Sequence, residues 1–518
     1  MDNGTASQPA GAETTAGAPA LLAAGLAAFV AALALRLTGI DSRDLWLDEI
    51  YTQFAASRDW LGLVDDRVSR GHSPFYFAIL KLTGIDPANV TAVRGLSAVF
   101  DAGAAGVLAA GTLRYFGARA ALFVAVLYVL SPLHIHWAQN ARPYGLLMLF
   151  TAMGLIGAIG LLDTVGKDRP DGDPALRWPR LLFTIGWSGA ALTMTGGILA
   201  YLVVLCLPWW PGLRRSHLSD PSFRRRWVRA QKIPSWTAFV TFVLVSRLHV
   251  ADRIGNYWLE TRRPFGPEAL GLLLQEVGAG DVEQAVDAFP ALWPDVALLL
   301  SAATVFAVLL AAIRAVTRPA LRPATFALLA LGFGLLAVML FMSLNTSLLT
   351  GRYFTPAWLA LLVAAGVGLA TLRPVASVGL GAALVAVMIP LALGAAHSEV
   401  GRRSAQPQQI AALIDADANR HAPIVIFRPV FRNVRMELML LRLDEPALPR
   451  PDMHGERGGE RVERFFASGA PFFLALPETI WSQTYAADYA AEACLAEIEA
   501  WVIARFFAGP CEPPFSAP

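Results

Sequence analysis

The stretch LLAAGLAAFVAALALRLTGIDSRDLWLDEIYT, residues 21–52, places two acidic side chains directly beyond an apolar segment. Residues 21–40 contain a single charge, Arg36, and about 20 apolar residues in a helix match the hydrocarbon core of a bilayer. Asp48 and Glu49 then follow among aromatic and aliphatic residues, where the chain leaves the apolar segment. This order predicts a membrane-spanning helix with an acidic group at the lipid boundary.

The composition of the whole chain is that of a polytopic helical membrane protein. Of its 518 residues, 55% are hydrophobic and only 16% are charged, which excludes an ordinary soluble enzyme. The formal net charge of +2 carries little information, because the positions of Lys and Arg along the chain decide membrane topology. We expect membrane lipids, and no nucleic acid, as partners.

Apolar runs predict about eleven membrane-spanning helices within a module of residues 20–396. They lie near residues 20–39, 92–113, 120–137, 143–162, 180–194, 196–211, 234–250, 293–313, 324–344, 355–371 and 375–395. Residues 1–19 contain no Lys or Arg and therefore lack the basic region of a cleavable signal peptide. We expect them to form a disordered cytoplasmic tail before an uncleaved first helix.

Basic residues predict that the N-terminus lies in the cytoplasm. With this orientation every short cytoplasmic loop is basic, as the positive-inside rule requires. These loops contain Arg114 and Arg119, the basic residues of 167–180, the basic run 214–232, the arginines of 314–322, and Arg373. The orientation requires that segment 73–84, which is too short to span a bilayer, lies at the interface or re-enters the membrane.

The same orientation assigns the longer polar regions to the extracytoplasmic side. Residues 41–91 become a first extracytoplasmic loop with amphipathic segments, and residues 397–518 become a small α/β domain. In that domain APIVIFRPVF and APFFLALPE are typical of strands, and RNVRMELMLLRL and GERVERFFASG are typical of helices. A disulfide between Cys494 and Cys511 is possible if this domain is extracytoplasmic.

Asp48 is the first candidate for chemistry. A carboxylate at the lipid boundary is partly desolvated, which raises its pKa and makes it a better base. The alternative is that Asp48 and Glu49 are ordinary solvated acids of a loop.

His72, in the motif GHSPFYF, is the second candidate, because Pro74 starts a helix whose N-terminus can bind an anion. The alternative is that His72 is an ordinary interfacial histidine.

Two further motifs place arginines at the outer ends of predicted spans. AQNARPYG contains Asn140, Arg142 and Tyr144, and TGRYFTPAW contains Arg352 and Tyr353. Such a cluster of cations, amides and aromatic rings suits sugar hydroxyls or phosphate oxygens, although each arginine alone is also explained by snorkelling. All four motifs face the same side of the membrane in the predicted topology. The chain contains no GxxxxGK[ST], CxxC or HExxH motif, so ATP hydrolysis and a dedicated zinc site lack support.

At these residues the sequence resembles the polytopic GT-C glycosyltransferases, especially the branch of the protein O-mannosyltransferases and lipid A aminoarabinose transferases. The matching elements are LWLDEIYT, GHSPFYF, AQNARPYG and GRYFTPAW, in that order. The resemblance covers residues 20–395. It implies transfer of a sugar from a polyprenyl-phosphate carrier to a hydroxyl of an extracytoplasmic acceptor, which is a lipopolysaccharide, another glycolipid, a glycan or a protein.

The resemblance also implies roles for the motif residues. Asp48 would be the general base for the acceptor hydroxyl, and the transfer would invert the anomeric carbon. Arg352 and Arg142 would stabilise the leaving phosphate. The remaining substrate-binding residues would be Glu49, His72, Asn140, Tyr144 and Tyr353.

One position departs from the pattern of this branch. Several relatives carry a second-loop carboxylate that in some members helps to hold a divalent metal, and Asn140 stands at the corresponding place. Asp48 and Glu49 alone would form a poor metal site, since hard cations need several oxygen ligands. We therefore expect an enzyme without a metal cofactor.

Two other classes of function remain open from the sequence. A transporter or flippase for a lipid-linked sugar would also need cations and aromatic rings at the interface, but it would place more polar residues near the midplane. Asp101 is a rare charge near the middle of a predicted span. A non-catalytic subunit of a cell-envelope complex, docking through the α/β domain, is the third class. The Ala- and Arg-rich composition favours a bacterial inner membrane as the location.

Overall fold

The fold is known from a computed structural model of the chain. The structure describes residues 16–41, 47–164, 173–207, 221–248, 266–279, 294–317, 322–344, 349–396, 406–427, 434, 437–438, 440–441, 452–454, 459–489, 493–498, 501–506, 511 and 515. The predicted tail 1–19 lies mostly outside these residues, as do Leu45 and Trp46 of the first loop.

The chain is mainly helical. In the first part of the chain the helices are α1 (Ala18–Leu37), α2 (Leu47–Ser57), α3 (Trp60–Ser69), α4 (Phe75–Thr83), α5 (Val90–Phe116), α6 (Ala118–Val129), α7 (Pro132–Ala138) and α8 (Tyr144–Leu162). A 3₁₀ turn at Pro174–Leu176 precedes α9 (Arg177–Thr193), α10 (Thr195–Leu205), α11 (Pro221–Leu248), α12 (Pro267–Ala279), α13 (Pro294–Val316), α14 (Arg322–Ser343), α15 (Gly351–Ala370) and α16 (Pro374–Ala396).

Seven of the described helices are long and apolar enough to cross a membrane, namely α1, α5, α8, α13, α14, α15 and α16. The pair α6 and α7, bent by 56° at their junction, would add an eighth span if the two form one. Each of the eleven predicted spans overlaps a helix, but α9, α10 and α11 do not meet the same test. A break at Met194, whose backbone is extended, divides α9 from α10, and the first half of α11 is basic. Segment 73–84 is the short helix α4, as its length predicts.

Two compact units divide the chain. The first consists of residues 1–40, 66–76 and 91–400, and the second of residues 41–65, 77–90 and 401–518. Of the candidate spans in the first unit, α15 is the most enclosed, because 89% of its apolar stretch is buried. Its side chains share one continuous core with those of α6, α8 and α9, in which Trp187 and Trp358 are the largest buried residues.

The second unit contains a five-stranded sheet. The strands are β1 (Ile424–Phe427), β2 (Asp452–His454), β3 (Phe472–Pro477), β4 (Ala493–Ile498) and β5 (Trp501–Phe506), in the order β2-β1-β3-β5-β4. β1 pairs in parallel with β2 and β3, whereas β5 pairs antiparallel with β3 and β4. The helices of this region are α17 (Gln406–Ala416), α18 (Gly459–Ser468), and short turns over Glu478–Ile480, Trp481–Tyr485 and Ala486–Tyr489.

Both faces of the sheet are covered, because its strands carry apolar residues at odd and even positions. Phe473 packs on one face with Ile410 and Ile414 of α17, and Phe472 packs on the other with Phe466 of α18. Cys494 and Cys511 form a disulfide at the first of these faces. The predicted small α/β fold is thus confirmed, with β1, β3 and α18 where the sequence indicates them, while β2, β4 and β5 were not predicted.

Candidate functional site

The acidic motif lies at the start of α2, in the second unit. Asp48 and Glu49 occupy its first turn, where the helix N-terminus favours negative charge. Glu49 is fully buried, whereas Asp48 keeps part of its surface accessible, and the Thr52 hydroxyl donates to the Asp48 carbonyl at 3.1 Å. Ile50 belongs with Phe54 to a small buried cluster of this unit, so the motif is anchored by its apolar residues.

His72 follows a tight helix cap in the first unit. At the end of α3 the chain turns through Gly71, whose φ of 75° is a left-handed conformation that favours glycine. The backbone N–H of His72 donates to the carbonyl of Arg67 at 2.9 Å, and that of Gly71 donates to Val68 at 3.0 Å. The next residue, Ser73, donates from its hydroxyl to the carbonyl of Leu192. The motif GHSPFYF therefore holds His72 by backbone geometry.

A charged group that the sequence analysis did not identify lies beside His72. Asp66 of α3 is buried and accepts hydrogen bonds from the guanidinium groups of Arg67 and Arg70, the latter at 2.9 Å. Burial lowers the pKa of Arg67 to about 10, against the raising effect of Asp66. Alternating acidic and basic residues on a short amphipathic helix usually indicate a solvated face, which is why the pattern DDRVSR gave no signal.

The third motif, AQNARPYG, forms the loop between α7 and α8, where Asn140, Arg142 and Tyr144 are all buried. The Asn140 amide donates to the carbonyl of His136 at 2.6 Å. The ring of Tyr144 packs edge-on against Trp137, with centroids 4.7 Å apart. Three of the predicted site residues are thus parts of one compact turn and are not mobile surface groups.

The fourth motif forms the first turn of α15. The Arg352 guanidinium carbon lies 4.9 Å from the centre of the Tyr353 ring, within range of a cation–π interaction. The N–H of Gly351 donates to the carboxylate of Glu276 on α12. A Cβ at Gly351 would lie 2.6 Å from a methyl carbon of Leu133, so a larger residue there would require the Leu133 side chain of α7 to move.

Charged residues from several of these elements act together on His72. Burial lowers the pKa of His72 well below its usual range, and the charges of Arg142, Arg67, Arg70 and Arg352 lower it further. By solvent accessibility the His72 side chain is nevertheless exposed, so it can reach a ligand. His72 is consequently neutral at pH 7 and lies within the field of four guanidinium groups contributed by three separate elements.

The structure thus groups some of the predicted residues and leaves others apart. His72, Arg142 and Arg352 share one electrostatic environment in the first unit, with Asn140, Tyr144 and Tyr353 adjacent to them in the chain. Asp48 and Glu49 belong to the second unit, so convergence of all four motifs stays a prediction. Among the residues that the structure describes, no group of three or more His, Cys, Asp or Glu side chains is arranged to hold a metal ion.

Comparison with known proteins shows a similarity of fold to several solved structures. No family model and no curated protein matches the sequence. The solved structure of ArnT from Cupriavidus metallidurans bound to undecaprenyl phosphate matches at a TM-score of 0.59 and 18% identity, covering 94% of this chain and 99% of that one. The archaeal oligosaccharyltransferase AglB from Archaeoglobus fulgidus, in complex with an inhibitory peptide and a dolichol-phosphate, matches at a TM-score of 0.55 and 10% identity, covering 95% of this chain and 75% of that one.

The predicted resemblance to GT-C glycosyltransferases is confirmed at the level of the fold. The similarity to these structures extends over nearly the whole chain, including the sheet-containing region. The chain therefore shares the overall fold of these solved structures, and seven of its described helices are long and apolar enough to cross a membrane.

Proposed function

We propose that the protein is an integral membrane glycosyltransferase. It moves a sugar from a polyprenyl-phosphate carrier to a hydroxyl of an extracytoplasmic acceptor, which is a glycolipid, a lipopolysaccharide, a glycan or a protein. The observation that carries the proposal is the electrostatic grouping of Arg142 and Arg352 around a neutral His72 in a GT-C fold. Two guanidinium groups in one site are suited to a phosphate, because they bind it by charge-assisted hydrogen bonds.

The charges of the reaction explain why cations are needed there. In the donor the phosphate is a diester with one negative charge. When the bond between the anomeric carbon and the phosphate oxygen breaks, the departing polyprenyl phosphate gains a second negative charge. Arg142 and Arg352 stabilise that developing charge, so the leaving group needs no proton donor. His72, held neutral, donates a hydrogen bond to a phosphate oxygen.

Asp48 takes the proton of the acceptor hydroxyl as the new bond to the anomeric carbon forms. Its partly accessible carboxylate suits a base that must reach a substrate, whereas Glu49 is enclosed and supports the same turn. Attack from the face opposite the phosphate inverts the anomeric carbon. The reacting groups proposed here contain no metal ligand set.

The proposal includes the topology predicted from the sequence. Eleven spans, with the N-terminus in the cytoplasm, put the motif loops and the α/β domain on the extracytoplasmic side of a bacterial inner membrane. The Cys494–Cys511 disulfide supports this side for the domain, because disulfides persist in oxidising compartments. A flippase is less well supported, since the similar folds are those of transferases.

The test is release of polyprenyl phosphate from radiolabelled polyprenyl-phosphate sugars by the purified protein in lipid vesicles. We expect release by the native protein and about a hundredfold to ten-thousandfold slower release by Asp48→Asn, as general-base removal typically costs two to four orders of magnitude. Asp65→Asn, which changes an exposed carboxylate of the same unit, serves as the matched control and should retain full activity.

Two results would contradict the proposal. Full activity of Asp48→Asn would remove Asp48 as the base. Movement of intact donor across the vesicle membrane, without release of polyprenyl phosphate, would assign the chain to the flippases.

A further inference from the structure

A fully buried ion pair joins two candidate spans of the first unit. Arg36, near the end of α1, is 0% exposed and donates from Nε to Asp101 in the middle of α5 at 2.5 Å. The hydroxyl of Tyr128 on α6 donates to the other carboxylate oxygen at 2.9 Å. Charges inside apolar spans are costly to bury, so a pair kept there marks a functional or organising role.

The rest of the Arg36 guanidinium is used at the break between α6 and α7. Pro132 has no N–H, so the carbonyl of Tyr128, four residues earlier, lacks the usual donor of an α-helix and accepts from the N–H of Ser131 at 3.2 Å instead. Arg36 donates to this carbonyl at 3.3 Å and to that of Val129 at 3.2 Å. A side chain of α1 thus supplies hydrogen bonds at the point where the chain bends by 56°.

The other end of α7 is tied to the same part of α1. Gln139, which ends α7, donates from its side-chain amide to the carbonyl of Thr38 at 2.7 Å. Arg36 and Thr38 lie two residues apart, so the end of α1 is bonded to the last turn of α6, just before α7, and to Gln139, just after it. The loop with Asn140 and Arg142 begins directly after this second attachment.

His134, in the middle of α7, connects this short helix to α15. Its Nε2 lies 3.3 Å from the carbonyl of Thr355, and its Nδ1 lies 2.9 Å from the hydroxyl of Ser131. A carbonyl only accepts, so Nε2 carries the proton and Nδ1 accepts from Ser131. Thr355 in turn donates from its hydroxyl to the carbonyl of Arg352 at 3.1 Å. One chain of hydrogen bonds therefore links α7 to the turn that carries Arg352.

We infer that Arg36 and His134 are positioning residues that fix α7, and through it Arg142 and Arg352, in the geometry that binds the phosphate of the donor. The inference rests on the proposed function for its ligand. Neither residue needs to touch the substrate. Arg36 acts through the break and through the loop after α7, and His134 acts through the first turn of α15.

The experiment compares undecaprenyl phosphate binding by Arg36→Lys, Arg36→Met and His134→Phe, each purified and shown to be monodisperse. Arg36→Lys keeps the charge opposite Asp101 but cannot reach three acceptors at once. We expect it to weaken affinity about tenfold, and the Met and Phe variants to weaken it more. Arg226→Met is the matched control, because Arg226 of α11 is equally buried but donates to Thr164 instead. It should keep native affinity whatever its effect on stability.

Coupling to Arg142 separates positioning from a general loss of stability. If Arg36 acts through Arg142, Arg36→Lys should weaken binding about tenfold in the native chain but by less than about threefold in an Arg142→Ala background. Equal factors in both backgrounds would overturn the inference, as would native affinity of folded Arg36→Met.

Hydrogen exchange tests the same inference without any ligand. Amides of residues 138–145 should exchange at least about tenfold faster in Arg36→Met than in Arg226→Met, since the loop loses its attachment. Equal exchange in the two variants would overturn the inference. If the native protein failed to bind undecaprenyl phosphate, the proposed function would fail, and the exchange result would still decide whether Arg36 holds the loop.

Discussion

The hydroxyl of Tyr76 lies 2.8 Å from the hydroxyl of Ser97, and this pair joins two of the sequence motifs. Ser97, on α5, donates its single proton to the carbonyl of Arg142 at 3.1 Å. Tyr76 must therefore be the donor to Ser97. The motif GHSPFYF, through Tyr76, and the motif AQNARPYG, through Arg142, are thus connected by one buried serine.

Replacing Tyr76 with Phe removes the first donor of this chain while keeping the ring in place. We expect a loss of about 1 kcal/mol in the free energy of unfolding and a several-fold weaker affinity for undecaprenyl phosphate, because the Arg142 turn loses a fixed neighbour. Binding is measured by titration in detergent. The matched control is Tyr201→Phe, which also removes a hydroxyl bonded to a serine, Ser235, but outside the candidate site. If both variants lost affinity equally, the link from Tyr76 to the site would be excluded.

Gly145 is expected to tolerate no side chain, because it lets α8 start directly against α5. A Cβ there would clash with the carbonyl oxygen of Ser97 and lie 3.0 Å from its carbonyl carbon. Gly145→Ala should lower the free energy of unfolding by about 1–3 kcal/mol, the usual cost of forcing extra atoms into a packed core. Thermal unfolding in detergent measures this change. Gly95→Ala on α5, where a Cβ meets nothing within 4 Å, should be neutral or slightly stabilising.

The sequence predicts the parts of this fold that depend on local hydrophobicity. The helix α8 coincides with an apolar run and α1 with a run whose single charge is Arg36, and β1 and β3 are short apolar segments with bulky side chains. β4 and β5 were missed because the segment ACLAEIEAWVIARF contains four Ala and two Glu, which favour helices. Pairing with β3 across the sheet overrides that local preference.

The site was predictable only where a motif signalled it. The arginines of AQNARPYG and GRYFTPAW stand out because aromatic residues surround them at the ends of apolar runs. Arg36 and Asp101 are separated by 65 residues, so no local pattern reveals their pairing. A single cation and a single acid in otherwise apolar spans were the available signal. Asp66 and Arg67 lie in a segment whose mixed charges suggest a solvated helix, so the sequence did not indicate their burial.

The neutral state of His72 leads to a prediction about pH. Burial and the charges of Arg142, Arg67, Arg70 and Arg352 lower its pKa, so His72 stays unprotonated as the pH falls through about 6.5, where an unfolded histidine takes up a proton. Affinity for a polyprenyl-phosphate sugar, whose phosphodiester keeps one charge, should therefore be flat between about pH 8 and 6. Titrations across this range with the native protein and with His72→Gln measure the effect.

The lowered pKa of His72 also decides the direction in which the free energy of unfolding changes with pH. Below about pH 6.5 the unfolded chain binds a proton at His72 that the folded chain does not, so this residue lowers the free energy of unfolding as the pH decreases. His72→Gln should remove that part of the slope. Binding that tightens as the pH falls through 6.5 in the native protein, but not in His72→Gln, would show that His72 acts as a cation.

The last prediction concerns the turn that carries Arg352. Pro356 has no N–H, so the carbonyl of Arg352 lacks the donor that a helix normally provides four residues later. The hydroxyl of Thr355 donates to this carbonyl at 3.1 Å in its place. The pair Thr-Pro in GRYFTPAW thus acts as a unit, in which the threonine compensates for the proline.

A double-mutant cycle tests this compensation. Thr355→Val should lower the free energy of unfolding by about 1–3 kcal/mol, because a buried carbonyl loses a donor, and should weaken donor binding by displacing Arg352. In a Pro356→Ala background an amide N–H faces the same carbonyl, so the further cost of Thr355→Val should fall below about 0.5 kcal/mol. Thr371→Val is the matched control, because Thr371 makes a similar bond to Gly368 at the other end of α15, where a backbone N–H also serves that carbonyl. Equal costs of Thr355→Val with and without Pro356 would mean that the hydroxyl does not replace the missing amide, and that the position of Arg352 depends on Glu276 and His134 alone.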